Sequence, residues 1–128
     1  MEENCVIIGM GSNIDPYVNF SEAIRRLRKL FTVCALSPVR LTKPIGIIDQ
    51  PDFINSALLL KTSMNQEDVE LMMKKIEDDM GRDRTAPKFG PRNIDLDVVI
   101  WNGTVVDDDY YQRDFLRDAV EELKEQSY

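Results

Sequence analysis

The stretch Phe53-Ile54-Asn55-Ser56-Ala57-Leu58-Leu59-Leu60-Lys61-Thr62 decides the fold, because it predicts the β-strand that the flanking segments join. Successive side chains of a strand point to opposite faces of the sheet. One face therefore carries Phe53, Asn55, Ala57 and Leu59. The other face carries Ile54, Ser56, Leu58 and Leu60. The first face thus offers an aromatic ring and an amide side by side at the start of the strand.

The segments on either side continue an alternation of strands and helices. Apolar residues recur at helical spacing over residues 17–30 and again over residues 65–80. Residues 5–10, 31–36 and 94–101 are apolar runs that predict strands. The order strand–helix–strand–strand–helix–strand is the pattern of a ferredoxin-like split βαβ fold. We therefore expect an α+β sandwich with helices packed on an antiparallel sheet.

Capping and turn residues mark the connections between these elements. Asn65 is a suitable N-cap for the second helix, and Gly81 is expected to end it. Asn102-Gly103 predicts a tight turn. The remaining predicted features are loops over residues 42–52 and 82–93, a return strand over 104–106 and a final helix in the acidic tail.

The composition restricts the available chemistry. A length of 128 residues predicts a single domain over residues 1–128. The chain has no histidine, so it cannot build a Ser-His-Asp triad or a zinc site that needs imidazole. Carboxylates, lysines, arginines and backbone groups remain, and this set suits Mg²⁺ and phosphate chemistry.

The charge and hydropathy of the chain restrict its partners and location. A net charge of −7 disfavours nucleic acid and anionic membranes as general partners. The sequence has no apolar stretch of membrane-spanning length, and the start Met1-Glu2-Glu3-Asn4 is acidic, unlike a signal peptide. We therefore expect a cytoplasmic protein, while the oligomeric state is left open.

Asp95-Leu96-Asp97 is the first candidate site, because it lies within a predicted strand. The period of two places both carboxylates on one face, with Cα atoms roughly 6.6 Å apart. Mg²⁺ typically takes one or two protein carboxylates and leaves its other positions to water and substrate phosphate. The alternatives are a solvated strand face or a salt bridge to Arg92.

The loop before this pair is strongly basic. Residues 82–92 contain four bases, Arg82, Arg84, Lys88 and Arg92, against one acid. Arginine forks match phosphate oxygens, so a basic loop joined to a carboxylate pair is typical of a nucleotide-phosphate site. The sequence has no Gly-Lys-Ser/Thr loop and no three-glycine fingerprint, which excludes P-loop and Rossmann sites. Phe53 and Asn55 suit a planar heterocycle, since an amide both donates and accepts hydrogen bonds.

The segment Lys88-Phe89-Gly90-Pro91-Arg92-Asn93-Ile94-Asp95-Leu96-Asp97-Val98-Val99 resembles the signature of the 6-hydroxymethyl-7,8-dihydropterin pyrophosphokinase family of folate biosynthesis. Gly11-Ser12-Asn13 and Gln50-Pro51-Asp52-Phe53-Ile54-Asn55 support the resemblance, which extends over about residues 5–103. It implies an enzyme that transfers pyrophosphate from ATP to the pterin hydroxymethyl group and releases AMP.

The resemblance also implies a role for each matched residue. Asp95 and Asp97 would hold two Mg²⁺ ions, and Arg82, Arg92 and Asp97 would act in catalysis. The pterin would be bound by Thr42, Ile45, Phe53, Asn55 and Phe115. The nucleotide phosphates would be bound by Glu77, Arg84, Lys88 and Arg92.

The tail departs from the family pattern. The Pro-His segment that the family carries before its Arg-x-Phe motif is missing here, and Asp107-Asp108-Asp109 stands close to the expected nucleotide site. Residues 103–128 carry eight acids and three bases. Three readings remain: an active pyrophosphokinase, a pterin- or nucleotide-binding relative with weak or lost activity, and a binding module without catalysis.

Overall fold

The computed structural model describes residues 3–44, 46–47, 49–82, 85 and 90–127, with side chains as far as Leu123. These described residues form six strands and four helices in chain order. They are β1 (Asn4–Ser12), α1 (Pro16–Leu30), β2 (Thr32–Leu36), β3 (Arg40–Thr42), β4 (Phe53–Thr62), α2 (Gln66–Asp79), β5 (Asp95–Trp101), β6 (Thr104–Val105), α3 (Asp109–Gln112) and α4 (Asp114–Ser127).

The strands form one antiparallel sheet. Its order is β2-β4-β1-β5-β6, and the short strand β3 also pairs with β4. The predicted strand over residues 53–62 is confirmed at both ends and pairs with β1 along most of its length. The sheet order and the strand–helix sequence agree with the predicted ferredoxin-like α+β fold.

Each face of the sheet has its own apolar core. On one face, α1 and α2 cover side chains such as Ile8, Leu58 and Leu60. On the opposite face, α4 packs Leu116, Ala119, Val120 and Leu123 over Ile7, Ala57 and Leu59. A fully buried leucine contributes about 1.5–3 kcal/mol to folding, so both clusters are substantial. Helix α4 covers only one end of the sheet face that carries Ile7, Ala57 and Leu59. The other end of this face is therefore open to solvent.

The ends of α2 and the turn after β5 have the capping and turn residues that the sequence predicts. The side chain of Asn65 accepts a hydrogen bond from the Asp68 amide at 2.8 Å, as expected of an N-cap. Gly81 follows α2 with a φ of 96°, a conformation that glycine adopts without strain. Asn102 and Gly103 both have positive φ, which gives the tight turn between β5 and β6.

Two short elements differ from the sequence prediction. The sequence predicts a loop from Thr42, but this residue ends β3, where it pairs with Phe53. The sequence indicates only an acidic tail over the segment of α3, but that segment forms one helical turn before α4. Among the described helices, none has the length and apolar character needed to cross a bilayer.

Candidate active site

The open end of the sheet face forms a cavity of about 330 Å³ beyond the N-terminus of α4. Strands β1, β4 and β5 form its floor, and the segment from β6 to α4 forms one wall. The cavity is lined by Gly9, Met10, Gly11, Thr42, Lys43, Phe53, Asn55, Ser56, Arg82, Gly90, Arg92, Asp95, Asp97, Val99, Asp107, Asp109, Arg113, Phe115 and Leu116.

Two glycines of β1 keep this floor open. In the sheet register, Gly9 lies opposite Asp97, and Gly11 lies between Asp95 and Asn55. A Cβ atom on Gly11 would come within 2.9 Å of the side-chain oxygen of Asn55. That separation is shorter than any relaxed contact allows. Glycine is therefore required at position 11 for the observed position of the Asn55 amide.

Asp95 is held by two arginines. Its Oδ1 lies 2.5 Å from Nη1 of Arg82 and 3.7 Å from Nε of Arg92. The Arg92 guanidinium also donates to the carbonyl oxygens of Gly90 and Pro91. The salt bridge to Arg92, one of the alternatives to a metal site, is thus present for Asp95, but Arg82 is the closer partner. Both arginines line the cavity, so they could also bind an anion there.

Asp97 has a different environment, because it forms no ion pair with any residue that the structure describes. Asp97 is exposed and lines the cavity, although neighbouring protein atoms surround much of its carboxylate. Burial raises the pKa of Asp97 to about 7, and nearby negative charges add to this effect. These charges are Asp95, Glu77, Asp107 and Asp109.

This carboxylate pair fits a divalent cation. An ionised carboxylate without a cationic partner is costly at a partly enclosed site, so Asp97 would gain from a bound metal. The described part of the chain gathers no cluster of three or more metal-ligating side chains. Two carboxylates facing an open cavity suit Mg²⁺, which retains water and phosphate ligands, better than they suit an all-protein metal cage.

Glu77 lies on α2, outside the cavity lining, with its carboxylate against the backbone of β5. Its side chain is only 6% exposed, and its Oε2 accepts a hydrogen bond from the Leu96 amide at 2.8 Å. The same oxygen lies 3.5 Å from Nη1 of Arg82. Because β6 pairs only with the end of β5, Glu77 supplies a partner for the backbone between the two aspartates. This geometry indicates a positioning role; the predicted contact of Glu77 with nucleotide phosphate stays a prediction.

The residues expected to bind a planar heterocycle also meet in this cavity. Phe53, Asn55 and Thr42 come from paired strands, and Phe115 comes from the first turn of α4. The Asn55 amide nitrogen donates to the Thr42 hydroxyl, which fixes the orientation of the amide. The predicted site residues Ile45, Arg84 and Lys88 lie outside the described residues.

Four charged residues of the cavity wall are absent from the site residues that the sequence predicts. Arg113 and Lys43 add positive charge, while Asp107 and Asp109 add negative charge. The sequence places the acidic run 107–109 near the expected nucleotide site but predicts no function for it. It shows Arg113 only as the first residue of the Arg113-Asp114-Phe115 motif. The convergence of Asp109 and Arg113 depends on the turn of α3, which no periodic pattern in the sequence predicts.

The arrangement can be compared with known families. The family model described as 7,8-dihydro-6-hydroxymethylpterin-pyrophosphokinase (HPPK) matches residues 7–125, which include every cavity-lining residue. The chain belongs to this family. The resemblance drawn from residues 88–99 is thereby confirmed, and the match extends into the tail as far as residue 125.

Curated relatives carry corresponding names. The 2-amino-4-hydroxy-6-hydroxymethyldihydropteridine pyrophosphokinase of Bacillus subtilis is 34% identical over 102 residues, 77% of this chain and 60% of that protein. The enzyme of the same name from Aquifex aeolicus is 32% identical over 102 residues, 79% of this chain and 63% of that protein. A folate synthesis bifunctional protein of Arabidopsis thaliana is 35% identical over 98 residues, 75% of this chain and 20% of that protein. The chain thus spans less than two thirds of the length of these relatives.

Proposed function

We propose that this protein is a pyrophosphokinase that transfers the terminal pyrophosphate of ATP to 6-hydroxymethyl-7,8-dihydropterin, with Mg²⁺ as cofactor and AMP as the second product. One observation carries the proposal. A single cavity of the HPPK-family chain holds a carboxylate pair with two arginines and, beside it, an aromatic and amide face. The names of the bacterial relatives support the same reaction.

The acceptor fits the aromatic side of the cavity. Phe53 and Phe115 present rings to a flat pterin, and the Asn55 amide can both donate to and accept from the pterin edge. The Thr42 hydroxyl accepts from Asn55, so the amide is oriented before the substrate binds. Prior orientation of this kind lowers the entropic cost of aligning the hydroxymethyl group with the donor.

The donor fits the charged side. In the transfer, the pterin hydroxyl oxygen bonds to the β-phosphorus, the bond from that phosphorus to the α,β-bridging oxygen breaks, and the hydroxyl proton is released. Arg82 and Arg92 are placed to stabilise negative charge on the transferring group. Mg²⁺ bound by Asp95 and Asp97 would neutralise and orient the polyphosphate oxygens. Two such ions are proposed from the family resemblance.

A second candidate is a family member that binds pterin or nucleotide with weak or lost turnover. The observation that favours it is the acidic wall, because Asp107 and Asp109 face the cavity near the metal pair. Negative charge at this place opposes a polyphosphate donor. The retained aspartates and arginines favour the active enzyme instead.

The decisive experiment measures AMP formed from ATP, Mg²⁺ and the hydroxymethyl dihydropterin, with the pterin diphosphate followed by chromatography. Pterin binding is measured in parallel by calorimetry. AMP formation that depends on the pterin is expected. Pterin binding without AMP would favour the second candidate, and failure to bind either ligand would refute both.

A further inference from the structure

The acidic run 107–109 places two of its three carboxylates in the cavity wall. Asp107 and Asp109 line the cavity, while Asp108 lies outside the lining. The Asp107 carboxylate accepts a hydrogen bond from the Asp109 amide at 2.9 Å, which holds the start of α3 in place. This hydrogen bond fixes the orientation of the Asp107 carboxylate.

Asp109 is paired with a cation of the same cavity. Its Oδ2 lies 3.4 Å from Nε of Arg113, one helical turn later, and both side chains line the cavity. The Arg113 side chain is 24% exposed and that of Asp109 is 44% exposed, so a ligand in the cavity can reach either of them. An anionic ligand that approaches Arg113 must therefore compete with the Asp109 carboxylate.

The charge balance of the cavity strengthens this competition. The described lining carries four basic side chains and four acidic ones: Lys43, Arg82, Arg92 and Arg113 against Asp95, Asp97, Asp107 and Asp109. Arg82 and Arg92 already face Asp95. A metal-free polyphosphate thus meets little net positive charge in this lining, whereas a Mg²⁺-complexed polyphosphate carries less negative charge and is repelled less.

We propose that Asp109, supported by Asp107, is a specificity residue that competes with phosphate for Arg113 and makes the cavity select the Mg²⁺-complexed donor over the metal-free one. The inference rests on the proposed function, because it assigns the cavity to a polyphosphate donor. It concerns the cavity wall formed by the segment from β6 to α4.

The test is calorimetric binding of inorganic tripolyphosphate, with Mg²⁺ or with EDTA, to the full chain and its variants. Asp109→Asn is expected to tighten metal-free binding about three- to tenfold and Mg²⁺-complexed binding by less. The matched control is Asp108→Asn, which removes the same charge from the neighbouring position outside the cavity. Its effect on either form should be less than about twofold.

A double-mutant cycle with Arg113→Gln separates competition from general repulsion. In the Arg113→Gln background, Asp109→Asn should act no more strongly than Asp108→Asn. Weaker tripolyphosphate binding in Asp109→Asn would overturn the proposal, because it would show that Asp109 holds Arg113 or a metal in a productive position. Equal effects of Asp108→Asn and Asp109→Asn would overturn it as well.

The binding measurements need no turnover. If the expected pattern appears but no AMP is formed from ATP and pterin, the transfer assignment fails while the inference about Asp109 stands. If AMP is formed and the pattern is absent, the inference fails alone.

Discussion

Replacing Asp97 by asparagine should stabilise the metal-free protein while removing its activity. The raised pKa of Asp97, about 7, means that the folded state resists ionisation of this carboxyl. In an unfolded chain an aspartate ionises near pH 3.9. Between these two values the folded state binds more protons than the unfolded state. The free energy of unfolding therefore falls as the pH rises from about 4 to 7. Above pH 7 the folded protein carries the full cost of an ionised Asp97.

The magnitude follows from the shift and from the exposure of the group. A folded-state pKa of about 7, against about 3.9 for an unfolded aspartate, corresponds to roughly 4 kcal/mol of unfolding free energy. More than a third of Asp97 remains open to cavity water, so screening reduces the effect to about 1–2 kcal/mol. An asparagine side chain keeps the shape of the aspartate and stays neutral. At pH 8, Asp97→Asn should therefore raise the free energy of unfolding by about 1–2 kcal/mol, and at pH 5 by less.

The assay is urea unfolding in EDTA, followed by the fluorescence of Trp101, the single tryptophan of the chain. Asp95→Asn is the matched control, because it removes the same charge two residues away. It also removes the carboxylate paired with Arg82 and Arg92, so it should lower the free energy of unfolding by about 1–3 kcal/mol. The reasoning is refuted if Asp97→Asn is no more stable than the wild type at pH 8, or if its gain is the same at pH 5.

Three further predictions concern the architecture of the site. Gly11→Ala should weaken pterin binding by calorimetry about tenfold or more, because its Cβ displaces the Asn55 amide; unchanged affinity would contradict the glycine's role. Glu77→Gln keeps an acceptor for the Leu96 amide but loses the charge facing Arg82, so kcat should fall about tenfold with little change in the pterin KM; equal changes in both would indicate direct substrate contact. Mg²⁺ should raise the melting temperature of the wild type but not of Asp97→Asn, and chelation by EDTA should stop AMP formation; a shift in both proteins would place the ion elsewhere.

Much of the fold is predictable because its signals are local and strong. Residues 53–62 carry a long apolar run without glycine or proline, and the structure confirms both ends of β4. The N-cap at Asn65 and the turn at Asn102-Gly103 are predictable for the same reason. The strand β3 is not predicted, because three residues beside proline-containing loops are too few to show a periodicity. Its pairing with β4 stabilises the extended conformation of these residues.

The candidate site is predictable where its residues share one element. Asp95 and Asp97 lie on one strand, so the period of two is enough to place their carboxylates on the same face. The position of Glu77 behind Leu96 depends on how α2 packs against β5, which only the tertiary structure shows. Asp109 and Arg113 belong to a turn whose direction is set by the docking of α4, so their entry into the cavity cannot be predicted from spacing.

The acidic wall adds to the cost of ionising Asp97 in the metal-free protein. Burial is the largest cause of the raised pKa of Asp97, Asp95 and Glu77 come next, and Asp107 and Asp109 raise it further. Asp109 also pairs with Arg113. The same two carboxylates therefore oppose ionisation of Asp97 and oppose entry of a metal-free polyphosphate. A divalent cation relieves both effects, because it neutralises Asp97 and reduces the charge of the donor. Removing Asp109 should consequently narrow the stability difference between the wild type and Asp97→Asn at pH 8. A difference that is unchanged in the Asp109→Asn background would show that burial and the nearer charges of Asp95 and Glu77, and not Asp109, set the cost of ionising Asp97.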